Sequence, residues 1–111
     1  MMPPDSANAD WGKRLSGLIH DMWFSVDDLP LGQIQDNLVI PLRMKPKDPP
    51  CARLIIPNAR VVRVVDTERI GLYDISHVLV QMPERVLTII GNIPIRVDIA
   101  MDDPCEAYVE S

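Results

Sequence analysis

The residues of this chain best suited to chemistry are few and far apart. His20 and Asp21 stand in series, Asp27 and Asp28 follow closely, and His77 lies far along the sequence. Imidazoles and carboxylates gathered by folding would suit a small metal-assisted hydrolase or isomerase using His20, Asp21 and His77. Adjacent residues on a helix or strand point in different directions, however, and there is no His-x-x-x-His or Cys-x-x-Cys spacing. His20 has an equally good structural role: a cationic imidazole in the last turn of a helix interacts favourably with the free carbonyl end of the dipole. His77 falls on the less buried side of a strand, where a solvated or backbone-bonded ring is expected. Cys51 and Cys105 each follow a proline. Without a signal sequence they are expected to be reduced thiols, although a bridge between them would close a loop of ~55 residues and add ~4 kcal/mol. Neither has the cationic neighbours of a nucleophilic cysteine. The glycines at 12, 17, 32, 71 and 91 never cluster into a phosphate loop, and Ser16, Ser25 and Ser76 lack a Gly-x-Ser-x-Gly setting. The sequence therefore assigns no catalytic, cofactor-binding or metal-ligating residue and implies no cofactor.

Binding is the better supported class. Trp11, Trp23 and Phe24 either anchor a partner or staple a helix onto a sheet. Asp66–Asp74 (DTERIGLYD) is a long polar excursion in an otherwise apolar half, either one helical turn stopped at Gly71 or a wide loop. Loops held by rigid scaffolds are where recognition usually resides. Charge is uneven along the chain: residues 1–42 carry −4, residues 43–69 carry +4 and residues 70–111 carry −5. The basic stretch either pairs with acidic strands or forms a face for an acidic partner. The net charge of −5 disfavours nonspecific binding to nucleic acid or to anionic membrane.

Periodicity along the chain outlines the helix and strands that carry these groups. Residues 1–9 contain Pro3 and Pro4 and read as a tail, and 10–111 read as one domain. Trp11, Leu15, Leu18, Ile19 and Met22 form one stripe of a helix over 10–22, with Asp10 as its N-cap. Beyond it, nineteen of the sixty-three residues from 39 to 101 are Ile or Val, whose stiff branched side chains favour pleated surfaces. Strands are expected near 23–29, 37–44, 52–65 (one bent strand or two), 75–82, 86–90 and 93–101. Pro41 and Pro94 point to sheet edges, Gly91-Asn92 to a two-residue hairpin turn with positive φ, and residues from Met101 onward to a fraying acidic end. Arg96 and Asp98 alternate with Ile95, Val97 and Ile99 and read as the wet face of the last strand.

Leu18–Leu42 contains Leu18, His20, Asp21, Phe24, Asp27, Asp28, Leu29 and the run Ile40-Pro41-Leu42. This stretch resembles the opening of small bacterial β-rich domains of unknown function, in which a Leu-x-His-Asp element precedes two strands. Some similar domains occur as immunity proteins beside toxins. The resemblance implies a small β-rich fold and no particular activity.

The fold expected is α+β: one N-terminal helix packed on a mostly antiparallel sheet of five to seven strands, open or curled into a small barrel or sandwich. The function expected is a non-enzymatic protein-interaction or binding module, with the metal-assisted enzyme and a small-ligand-binding sheet or barrel as alternatives. No apolar run reaches the ~20 residues of a membrane span, and a cytoplasmic location is expected. Strands apolar on both faces need cover, from curling of the sheet or from a second copy in a homodimer.

Overall fold

The computed structural model describes residues 10–82, 84–102 and 106–111. Residues 1–9 and Cys105, and with them the proposed tail and any Cys51–Cys105 bridge, lie outside the described residues. Cys51 itself is an exposed free thiol.

The helical stripe forms α1, Asp10–Ile19, which buries Leu15 and Ile19 and half-buries Trp11. It ends three residues before the expected boundary because the chain is drawn onto a strand. Asp21 adopts φ +67° and donates its N–H to Ile75 O at 2.8 Å, and Ile75 N–H returns to Met22 O at 2.8 Å. Leu18 departs from the expected stripe and is 67% exposed. Ser16 fastens the helix to the sheet: its hydroxyl donates to Val78 O at 2.8 Å and accepts Val78 N–H at 2.7 Å.

The remaining elements are β1 (Trp23–Ser25), β2 (Gln35–Leu42), β3 (Ala52–Val65), β4 (Leu72–Gln81), β5 (Val86–Gly91), β6 (Arg96–Met101) and β7 (Tyr108–Glu110). They form an antiparallel sheet in the order β1-β4-β5-β6-β3-β2, with β7 also beside β3. The sheet curls into a half-barrel with α1 against it. Its two ends meet at one bridge, where Trp23 and Arg43 exchange backbone hydrogen bonds of 2.8 and 2.9 Å. Phe24, Ile40, Ile56, Ile75, Leu87 and Ile99 are among the inward side chains with no exposed surface, and each contributes ~1.5–3 kcal/mol by leaving water. Curling covers the inner face of the strands, while Val39 and Val62 stay exposed at 37% and 44%. No helix among the described residues is long and apolar enough to cross a membrane.

Several boundaries correct the sequence reading. The first strand stops at Ser25, whose hydroxyl accepts Asp27 N–H at 3.2 Å and starts a 3₁₀ turn, Val26–Asp28. Residues 52–65 are one strand, bent at Asn58 (φ +47°), and Pro57 falls between its β7 and β6 registers, where no donor is required. Pro41 lies on a terminal strand, as its missing N–H predicts. The β5–β6 connection is wider than two residues, spanning 92–95, and Pro94 belongs to it. Gly91 does not have positive φ. It is required for close approach instead: a Cβ there would strike Ile95 Cγ2, Ile93 O at 2.8 Å and Asp74 O at 2.9 Å. The C-terminal residues do not all fray, since β7 pairs Tyr108, Val109 and Glu110 with β3, and Glu110 pairs with Arg53.

Candidate functional site

The polar stretch after β3 is a loop rather than a helical turn, and it is tied down from beneath. Tyr73 is fully buried. Its hydroxyl donates to Asp66 Oδ1 and accepts Ile70 N–H at 3.2 Å, while Asp66 Oδ1 also accepts Arg69 N–H at 3.0 Å. Burial raises the Tyr73 pKa above the ordinary tyrosine value, and the hydrogen bond to Asp66 acts in the same direction, so the phenol stays a donor at neutral pH. Gly71, at φ +87°, closes the loop and accepts Val26 N–H at 2.9 Å. Residues 66–71 therefore have a fixed conformation without regular structure.

Beside this loop lies a cleft of about 250 Å³ lined by Val65, Thr67, Ile90, Gly91, Pro94, Ile95 and Arg96. Its floor is aliphatic, and Arg96 is its one charged lining residue. The cleft continues onto the outer face of the half-barrel, whose side chains are placed by strand register. His77, Ile90, Arg96 and Val65 make one row across β4, β5, β6 and β3, and Leu79, Thr88, Asp98 and Arg63 make the next. Two irregularities set these rows. The register shift between Val61 and Arg63 leaves exposed Val62 as the extra residue and brings Arg63, instead of a valine, opposite Asp98. The shift between Ile75 and His77 likewise sets His77 opposite Ile90. Re-aiming side chains in this way is a common use of bulges.

The expected wet face of β6 is only partly wet. Asp98 is 7% exposed and Thr88 2% exposed, although both lie outside the apolar core. Thr88 Oγ1 donates to Asp98 Oδ1 at 2.7 Å, and Arg96 Nε lies 3.1 and 3.3 Å from the two Asp98 oxygens. The Arg96 side chain is half exposed, with both terminal nitrogens beyond the contact to Asp98. Arg60, Arg63 and Arg69 are exposed and form no ion pair among the described residues. Of the +4 stretch, Arg63 and Arg69 lie near the cleft with Asp66 and Glu68 on the same loop, while Arg43, Lys45, Lys47 and Arg53 lie toward the other end of β3.

The sequence-identified histidines meet elsewhere. His20 is just past the helix and, contrary to the helix-end reading, turns its ring to the sheet: Nδ1 lies 2.9 Å from Ser76 O and Nε2 3.3 Å from Asp21 Oδ2. His77 Nδ1 lies 3.1 Å from Ser76 Oγ. Folding therefore brings His20, Asp21 and His77 around Ser76 on an exposed ledge, with Asp27 and Asp28 in the 3₁₀ turn. Among the described residues, no three His, Cys, Asp or Glu side chains are grouped to hold a metal ion. Of the aromatic residues, Phe24 is in the core, and Trp11 packs against it beside a second cleft between α1 and β7, under the exposed Arg14–Glu106 pair of 3.4 Å.

Comparison of the chain with family models, with curated proteins and with solved structures finds no match.

Proposed function

We propose that this chain is a non-enzymatic protein-interaction module that recognises its partner at the cleft between loop 66–71 and the β5–β6 connection. The observation that carries this reading is the combination of a fixed loop with an apolar cleft that no carboxylate, imidazole or thiol lines. Such a surface holds a side chain but has no group to move a proton or attack a bond. The small-ligand alternative is less well supported, because about 250 Å³ is below the ~300–1,000 Å³ of sites that engulf a ligand. The enzyme alternative rests on the His20–Asp21–His77 ledge, which is exposed and lacks a third metal-binding partner of suitable geometry among the described residues.

Peptide selection tests the reading. Peptides selected from a random library on the wild-type protein are expected to lose binding to Thr67→Trp, which fills the cleft, with its melting temperature unchanged. Selected peptides that bind both proteins equally well contradict it.

The same reading has the module act as a homodimer joined through β2. Arg43 N–H and C=O face Trp23 while Leu42 O faces Cys51 N–H, so by alternation the backbone groups of Asn37, Val39 and Pro41 face away from β3. Val39 and Ile34, exposed at 37% and 65%, add apolar surface there.

A further inference from the structure

We infer that the partner segment received by this cleft is acidic: a peptide that seats one aliphatic side chain on Ile90 and Ile95 and sets a carboxylate against Arg96. The inference rests on the cleft being the binding surface. It starts from a half-exposed side chain that pairs a nearly buried carboxylate through Nε alone. Arg96 uses Nε on Asp98, and Asp98 is itself held by Thr88 Oγ1 at 2.7 Å. A carboxylate withdrawn from solvent is costly unless paired, so this seat holds the guanidinium by its inner edge. Its two terminal nitrogens take no part in that contact, and such a pair of nitrogens donates two parallel hydrogen bonds to a carboxylate. Holding the side chain in advance removes part of the ordering cost of binding.

Charge then selects the partner. Arg63 is directed to the same face by the bulge at Val62, and Arg69 lies on the loop at the cleft, both without an ion pair among the described residues. No acidic side chain lines the cleft. A basic segment would set its charge against Arg96, and a neutral apolar segment would partly desolvate the guanidinium without pairing its terminal nitrogens. An open, shallow shape with room for one side chain suits an extended peptide better than a free small anion.

The experiment uses three fluorescein-labelled peptides of sequence EELEE, QQLQQ and KKLKK, blocked at the C terminus, titrated by anisotropy on the intact chain. EELEE is expected to bind about tenfold more tightly than QQLQQ, with KKLKK weakest, and its affinity should fall with added salt. Arg96→Gln should reduce EELEE binding by about tenfold and flatten the salt dependence. Arg96→Lys, which keeps charge without the fork, should keep the salt dependence and lose affinity. Asp98→Asn should do the same, because it loosens the seat and leaves the arginine charged; a purely structural role for Asp98 would not separate affinity from salt dependence in this way. Equal binding of EELEE and QQLQQ, both lost in Thr67→Trp, overturns the acidic assignment and leaves the cleft as the binding surface. Absence of any binding sensitive to Thr67→Trp overturns both.

Discussion

Arg96 and Asp98 sit two residues apart on one strand, and the exposed guanidinium of the first is anchored 3.1 Å from the nearly buried carboxylate of the second. The pair differs from ordinary surface ion pairs, which contribute ~0–1 kcal/mol, because only its arginine is well solvated. Removing the arginine leaves Asp98 with Thr88 as its remaining hydrogen-bond partner. Arg96→Gln is expected to lower stability by ~1–2 kcal/mol in urea unfolding. Asp98→Asn in the same background should recover part of that loss. Equal stability of the wild-type and Arg96→Gln proteins would show that Asp98 does not depend on the pair.

Tyr73 gives the fold a dependence on alkaline pH. Its folded-state pKa is raised by burial and by Asp66, so the folded protein keeps its proton at pH values where the unfolded chain loses it. The stabilisation is fully present below the unfolded tyrosine value of ~10 and is lost as pH rises through the higher folded value. Urea midpoints measured between pH 7 and 11 should fall at the alkaline end in the wild type and fall less in Tyr73→Phe. Parallel curves for the two proteins would mean that the loop is not locked through this phenol.

Two glycines should respond in opposite directions. At Gly91 an added Cβ meets Ile95 and two backbone oxygens, at 2.8 and 2.9 Å, so Gly91→Ala is expected to cost ~1–3 kcal/mol. At Gly17, within α1, nothing lies within 4 Å of the new Cβ. Gly17→Ala should therefore stabilise the protein by ~0.5–1 kcal/mol through helix propensity. Calorimetric melting of both variants checks the contrast, and a stabilised Gly91→Ala would contradict the close packing of the β5–β6 connection.

Local pattern made most of the framework legible. The Trp11-Leu15-Ile19 stripe, the Pro41 edge and the alternation through Ile95, Val97 and Ile99 each depend on neighbours in sequence. What the pattern missed depends on partners far away. The helix ends at Ile19 because Asp21 bonds to Ile75, and β7 forms because β3 offers an edge to Tyr108–Glu110 with Arg53 opposite Glu110. The polar run after Val65 marked the loop beside the cleft. Asp98 gave no such sign: its burial follows from the register that sets it between Thr88 and Arg63, and that register depends on an extra residue at Val62.

Self-association is expected through the open edge of β2. Light scattering on a size-exclusion column at ~10 µM should give a mass near two chains, within the range where stable interfaces persist. Val39→Lys places a charge at the centre of that edge and should return the protein to one chain. A wild-type mass near 12.5 kDa rules the dimer out.

Recognition at the cleft beside loop 66–71 can be located by following a bound peptide at single backbone amides. A peptide selected on the wild-type protein, titrated into the ¹⁵N-labelled chain, is expected to shift Thr67, Ile90, Gly91, Ile95 and Arg96 most strongly. Largest shifts at His20, Ser76 and His77, or along α1 and β7, would contradict it.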